Sequence, residues 1–271
     1  MQINTTDGRT KQMLNTYVSL FKRYWTSIFV VALLIAVWVA YSSFINVRGD
    51  VYFPSIQYMV TRSFENRDVL LPGLFTTLSE AIMGFSIAVV IGVALGIICS
   101  QIPRILKTIL PSIVFLYAIP QAIVAPIFIL WFGNNIISIG LFVAWFGFFT
   151  VFINTLTGFD SVREEYDHLG AALGASNWQM IRKVYFWKAF PHISTGMKVA
   201  IQQSTVGAII AEFIATGSGM GFILISAKNT AKIGLLFGSL VLLMLAGTVL
   251  FLSTAAIINK INEWKSLPGH G

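Results

Sequence analysis

The sequence predicts an all-α integral membrane protein with about six transmembrane helices. Two features carry that reading. Hydrophobic residues fill 56% of the 271 positions and charged residues only 11%, whereas a soluble domain is about one quarter charged. Mean hydropathy is +0.78. Such a chain cannot cover a globule with polar surface, so lipid is its solvent. The second feature is the length of the uncharged runs. No Asp, Glu, Lys or Arg occurs in Tyr24–Val47, Ala81–Pro103, Thr108–Phe159 or Ile233–Asn259, and a span needs about 20 residues.

Five of the six expected spans follow from these runs, and the fifth in order from Val199–Ala227, whose one charge is Glu212. The first is near 26–46, too long for the apolar core of a cleaved leader and lacking a cleavage site, so it reads as a retained anchor. The second is near 75–100, where Gly92 and Gly96 form a G-x-x-x-G pair that permits close helix approach. Thr108–Phe159 holds two spans, near 111–131 and 137–158, separated by the turn signal Gly133-Asn134-Asn135. Pro111, Pro120 and Pro126 bend the third. The fifth lies near 196–214 and the sixth near 234–258. The domain plan is an N-terminal segment 1–25, one membrane domain 26–260 and a tail 261–271.

Charge sets the orientation. With both termini in the cytoplasm, 13 of the 18 Lys and Arg residues fall inside and 5 outside, as cytoplasmic loops require. The net charge of +7 then reads as a topology signal and contact with anionic membrane lipid; it is too dispersed for nucleic acid.

Three segments interrupt the spans. Gly49–Pro72, with Tyr52, Phe53, Ile56, Tyr58 and Met59 among charges, suggests an interfacial amphipathic helix. Thr216–Ile233, with Gly217, Gly219 and Gly221, suggests a short re-entrant piece on the outer side. Asp160–Ile193 is the largest cytoplasmic segment. Gly174 divides it into two short helical patterns rich in apolar residues, among them Leu169, Ala172, Leu173, Trp178 and Ile181, with Arg182 and Lys183. It either packs on the bundle or docks on a partner.

Enzyme chemistry has nothing to stand on. The sequence has no phosphate loop, no nucleophile elbow and no metal-spaced His or Cys cluster, so no catalytic residue, cofactor or metal is expected. Cys99 stands alone. The fifth span is more informative. Lys198, Gln202, Thr205, Ile209 and Glu212 fall within about 80° of one another on a helix. A polar stripe facing lipid is costly, so it lines a translocation path or forms a hydrogen-bonded seam with a neighbour. The path residues would be Gln202, Thr205 and Glu212. Glu80 sits at the head of the second span.

The run His168-Leu169-Gly170-Ala171-Ala172-Leu173-Gly174-Ala175-Ser176-Asn177-Trp178-Gln179, continuing to Ala189-Phe190-Pro191-His192-Ile193, resembles the cytoplasmic EAA loop of ABC importer permeases. His168-Leu169-Gly170 stands where Glu-Ala-Ala would, and Trp187 where a proline would. Phe53-Pro54-Ser55, Ile119-Pro120 with Pro126, Ala211-Glu212-Phe213 and Gly219-Met220-Gly221 are similar to the nitrate/sulfonate/taurine-type branch. The resemblance implies a permease homodimer. Each copy would dock its coupling loop, 160–193, on a separate ATP-binding cassette ATPase through Leu169, Ala172, Leu173, Gly174, Ala175, Trp178, Ile181 and Arg182. An extracytoplasmic solute-binding protein would deliver the substrate, and the chain would reside in a bacterial inner membrane. The alternative is a channel or secondary transporter without an ATPase, in which Glu80 and Glu212 would be the coupling-ion candidates.

Overall fold

The computed structural model describes residues 25, 29–42, 54–215 and 217–266. Most of the expected N-terminal segment, Arg48, Tyr52, Phe53, Thr216 and the tail beyond 266 lie outside them. The described chain is helical, with no strand among the described residues. Helix α1 is Phe29–Ser42. Then follow α2 (Ile56–Glu65), α3 (Arg67–Ser100), α4 (Pro103–Ala118), a 3-10 turn Gln121–Val124, α5 (Ala125–Phe132) and α6 (Ile136–Ala172). The chain continues through α7 (Asn177–Met180), a π-helical segment Ile181–Tyr185, α8 (Phe186–Ile214), α9 (Gly219–Asn229) and α10 (Ile233–Ser266).

Two compact bodies are present, residues 1–61 and 62–271. α1 falls in the first of these bodies. Its apolar side chains remain exposed almost throughout, so they contribute no core, and inside that body Trp38 Nε1 donates to the Pro54 carbonyl at 3.2 Å.

Among the described residues, α3, α6 and α10 are each long and apolar enough to cross a membrane. Two bent pairs add to them: Pro111–Ala118 with Gln121–Phe132, bent by 83°, and Asn177–Ile214 with α9, bent by 49°. These five and the shorter apolar α1 overlap the six segments expected from the sequence, and up to five of them are long and apolar enough to be spans among the described residues. The differences lie in how they end. The third is broken rather than kinked. Ile119 turns extended and Pro120 cannot donate to the preceding turn, so the helix restarts at Gln121. α6 has 37 residues, about 55 Å at 1.5 Å per residue, and so runs well past a 30 Å hydrocarbon core. Its start is the predicted turn: Gly133 takes φ +79°, and the Asn135 side chain accepts from the N–H groups of Ile137 and Ser138.

Glycines set the packing of the larger body. Gly84, Gly92 and Gly96 of α3 lie against Val143, Val151 and Thr155 of α6. The offset is constant, so the two helices run parallel in one register. A Cβ at Gly92 would come 2.8 Å from Val151 Cβ, and one at Gly96 2.7 Å from Thr155 Cβ. The paired glycines therefore let the backbones approach as the G-x-x-x-G spacing implies. On its other side α6 meets α8 antiparallel, Gly158 against Ala189 and His192, and Gly207 against Phe146. α6 is thus the central helix, and its Phe142, Phe149, Phe152 and Phe159 are all buried.

Candidate functional site

The first candidate surface is the loop after α6. α6 ends at Ala172 with Leu173 as its cap, and Gly174 adopts φ +62°. The Gly174 N–H donates to the Ala171 carbonyl, and the Ala175 N–H to the Gly170 carbonyl at 3.0 Å. This is a Schellman turn, which satisfies the terminal carbonyls and reverses the chain. Nothing lies within 4 Å of where a Gly174 side chain would start; the backbone conformation, not crowding, calls for glycine there. Immediately after it, Ser176 and Gln179 form a capping box that begins α7. Chain reversal and restart thus take the four residues between Ala172 and Asn177.

The expected docking residues divide in two. Leu173 is 74% exposed, Trp178 68% and Leu169 51%, and Ala172, Gly174 and Arg182 are exposed with them. Ala175 and Ile181 are half-buried and pack inward on the cluster of Phe159, Val162, Met180, Tyr185, Ala189 and Ile193. Counting apolar residues on a loop could not separate these two faces, because the π-helical segment shifts the helical phase after Met180.

A polar chain that the sequence reading missed braces the loop from behind. Tyr185 donates its hydroxyl to Asp167 Oδ1 at 2.6 Å. Arg163 lies 3.5 Å from Asp167 Oδ2 and donates to the Ser100 carbonyl at 2.7 Å, at the last residue of α3. Burial, then the acceptor Asp167, pushes the Tyr185 phenol up to about 12. Asn177 adds a bond to Gln101 Oε1 at 3.2 Å. The loop is therefore tied to the end of α3 as well as to α6 and α8. Pro191 and Gly196 both lie within continuous α8, where Gly196 packs on Asn154 of α6.

The second candidate surface is the polar stripe on α8. Gln202 is exposed and Thr205 half-buried. The methyl of Thr205 faces Gly247 of α10, and Lys198 Nζ donates to Asn259 Oδ1 of α10 at 2.6 Å. Ser194 and Asn262 extend this seam toward the same end.

Glu212 departs from the expected path. It is 1% exposed and enclosed among helices. Its Oε1 accepts from the Thr77 hydroxyl of α3 at 2.6 Å, and its Oε2 from the Gly221 N–H of α9 at 2.7 Å. The Met220 N–H donates to Thr77 Oγ1 at 2.9 Å. Ser218 at the head of α9 makes no side-chain cap, so Thr77 and Glu212 supply the cap from two other helices. Gly219 and Gly221 exist for this approach: a Cβ on either would strike the Glu212 side chain. The helical phase that put Glu212 in the stripe is right; α9 folds over that end of α8 and covers it.

Residues 88–264 match the family described as binding-protein-dependent transport system inner membrane component. The chain is 25% identical over 213 residues to the formylaminopyrimidine transport permease protein ThiX of Halalkalibacterium halodurans, covering 78% of this chain and 85% of that one. It is 26% identical over 192 residues to the taurine transport system permease protein TauC of Escherichia coli, covering 70% of each. A chain of the MetNI methionine ABC transporter, in an inward-facing conformation, shares the fold with a TM-score of 0.63 at 16% identity, covering 71% of this chain and 95% of that one. The loop resemblance and the helical architecture therefore agree with the match over most of the length: the chain belongs to the family of binding-protein-dependent transport system inner membrane components and is a permease of that kind.

Proposed function

We propose that a separate ATP-binding cassette ATPase drives this permease and docks on the turn from Leu169 to Arg182, and that an extracytoplasmic binding protein delivers the solute. The exposed apolar ridge supports this most directly. Leu173 and Trp178 stand out from a turn locked by the Schellman bonds and the capping box, and a rigid aromatic anchor of that kind suits a partner's groove. Arg182 supplies a charge at the rim. The chain itself holds no nucleotide motif, so hydrolysis belongs to the partner. This reading replaces the channel or motor-free transporter, which would leave the ridge without a purpose.

Two copies of the chain pair in this arrangement, in a membrane whose lipids face the exposed apolar helices. Both termini and the loop are cytoplasmic, in keeping with the 13-to-5 placement of Lys and Arg. Gln202 and Thr205 of α8 face the solute path. Nucleotide binding closes the ATPases, and the braced loop carries that movement into α3, α6 and α8 together. The solute is small and polar; relatives are named for taurine and for formylaminopyrimidine. Co-purification with the ATPase tests the docking surface. Trp178→Ala and Leu173→Asp each lose the ATPase at least tenfold while the chain still inserts and keeps its melting temperature. Undiminished association in both would refute this surface.

A further inference from the structure

Glu80 and Glu212 bring two buried carboxyl groups together with no basic side chain between them among the described residues. Glu80 is 2% exposed and Glu212 1%, and Glu80 lies one turn along α3 from Thr77, whose hydroxyl bonds to Glu212 at 2.6 Å, so the two carboxyl groups share one buried face between α3 and α8. Glu212 is provided with donors: the Thr77 hydroxyl at one oxygen, the Gly221 N–H at the other. Those donors, and the amide end of the eleven-residue α9, suit a carboxylate. No such donor reaches Glu80 Oε2, which is fully enclosed, among the described residues.

Among the described residues no charged side chain compensates the pair. Along α3 the next charges are Asp68 and Arg67, about 18 Å of helix away. On α8 the nearest is Lys198, about 21 Å away, and on α9 it is Lys228, about 10 Å past Gly221, with Lys232 in the turn beyond. α6 carries no charge before Asp160 and α10 none before Lys260. Neither glutamate has an ion-pair partner among the described residues. Two abutting carboxylates in such a place repel each other and lose their hydration, a cost that one bound cation removes.

We propose that Glu80 and Glu212 form a binding site for a single proton, carried on Glu80 and donated to the Glu212 carboxylate. The hydrogen bond so formed completes the set around Glu212 and joins α3 to α8 where both hold α9. The proton is a ligand of the fold, and its loss at high pH would set two negative charges against each other and release α9.

Infrared spectroscopy of the full chain in lipid nanodiscs, in H2O and D2O, tests this. At neutral pH the wild type should show the carbonyl stretch of a protonated carboxyl, shifted in D2O. Glu80→Gln, whose amide can donate to Glu212 in the proton's place, should lose that band yet keep its melting temperature. Asp68→Asn should keep the band. As pH rises toward 10, below the range in which Tyr185 ionises, the wild type should lose the band and melt earlier, while Glu80→Gln stays level. Should Glu80→Gln fail to accumulate, the wild type alone decides, since the two glutamates are the only buried carboxyl groups among the described residues. Absence of the band at neutral pH overturns the proposal. So does a melting temperature that rises with sodium and not with choline at equal ionic strength, which would assign the site to a metal cation.

Discussion

Thr77 and Glu212 stand 135 residues apart in the chain and share a 2.6 Å hydrogen bond. The Thr77 hydroxyl also accepts from the Met220 N–H, so one side chain serves two helices. Thr77→Val removes both bonds without changing shape. Each group left buried without a partner costs about 1–3 kcal/mol. The variant should therefore melt several degrees below the wild type in detergent, and Thr77→Ser, which keeps the hydroxyl, should not. Equal melting of the valine and serine variants would show that the cap on α9 carries no stability.

Gly92 and Gly174 are both glycines for different reasons, and one substitution separates them. Gly92→Val drives a branched side chain into Val151, 2.8 Å from the added Cβ. Overpacking of this kind costs about 1–3 kcal/mol or more, and it opens the α3–α6 seam along its whole register. Gly174→Val meets no neighbour and is penalised only by φ +62°, which costs about 1–2 kcal/mol. Accumulation in the membrane should fall for Gly92→Val. Gly174→Val should accumulate but lose ATPase association, because the Schellman turn that presents Leu173 and Trp178 no longer closes.

Tyr185 gives a pH signature. The neutral phenol donates to Asp167, and folding raises its proton affinity from 10.0 to about 12. Its contribution is therefore complete below pH 10 and disappears as pH rises through about 12. Tyr185→Phe should be less stable than the wild type by about 1–3 kcal/mol below that range. The two should converge above it. A gap that stays constant to the highest pH would mean that the ring's packing, not the hydroxyl, differs.

The membrane architecture was legible because charge is so costly in hydrocarbon that its absence over 20 or more residues marks most of the apolar segments, the fifth with Lys198 and Glu212 being the exception. Turns with local chemistry were legible as well: Gly133 with Asn135, and Gly174 with Ser176, carry their conformations in two or three residues. The cap on α9 was not. It joins Thr77, Glu212 and Gly221 from three helices, and nothing in the neighbourhood of any one of them announces the others. Nor was the brace from Tyr185 through Asp167 and Arg163 to Ser100, since a π-helical segment moves Tyr185 off the phase that a regular helix gives it. Glu212 shows the limit most clearly. Its phase on α8 was correct, but its surroundings depend on where α9 folds.

Gln202 distinguishes a solute path from a helix seam. Its α8 neighbours are already engaged: Gln203 accepts from Thr150 of α6 at 2.7 Å, Lys198 donates to Asn259 of α10, and the Thr205 hydroxyl bonds to the Ile201 carbonyl. Gln202 is exposed in the single chain, so replacing it with alanine removes no packing there. A polar amide in a span is costly when it faces lipid, and a water-lined path relieves that cost. Gln202→Ala should change the solute KM or the ATP consumed per solute imported, with melting temperature and assembly unchanged. Lys198→Ala should behave oppositely, lowering stability through loss of its 2.6 Å bond to α10. Thr205→Ala lies between, since its methyl touches Gly247 while its hydroxyl is satisfied within α8. Uptake by reconstituted transporter, measured beside melting for all three, settles the assignment. If Gln202→Ala destabilised the assembled transporter and left transport kinetics alone, the residue would belong to an interface between copies, and the path would have to run along another face of α8.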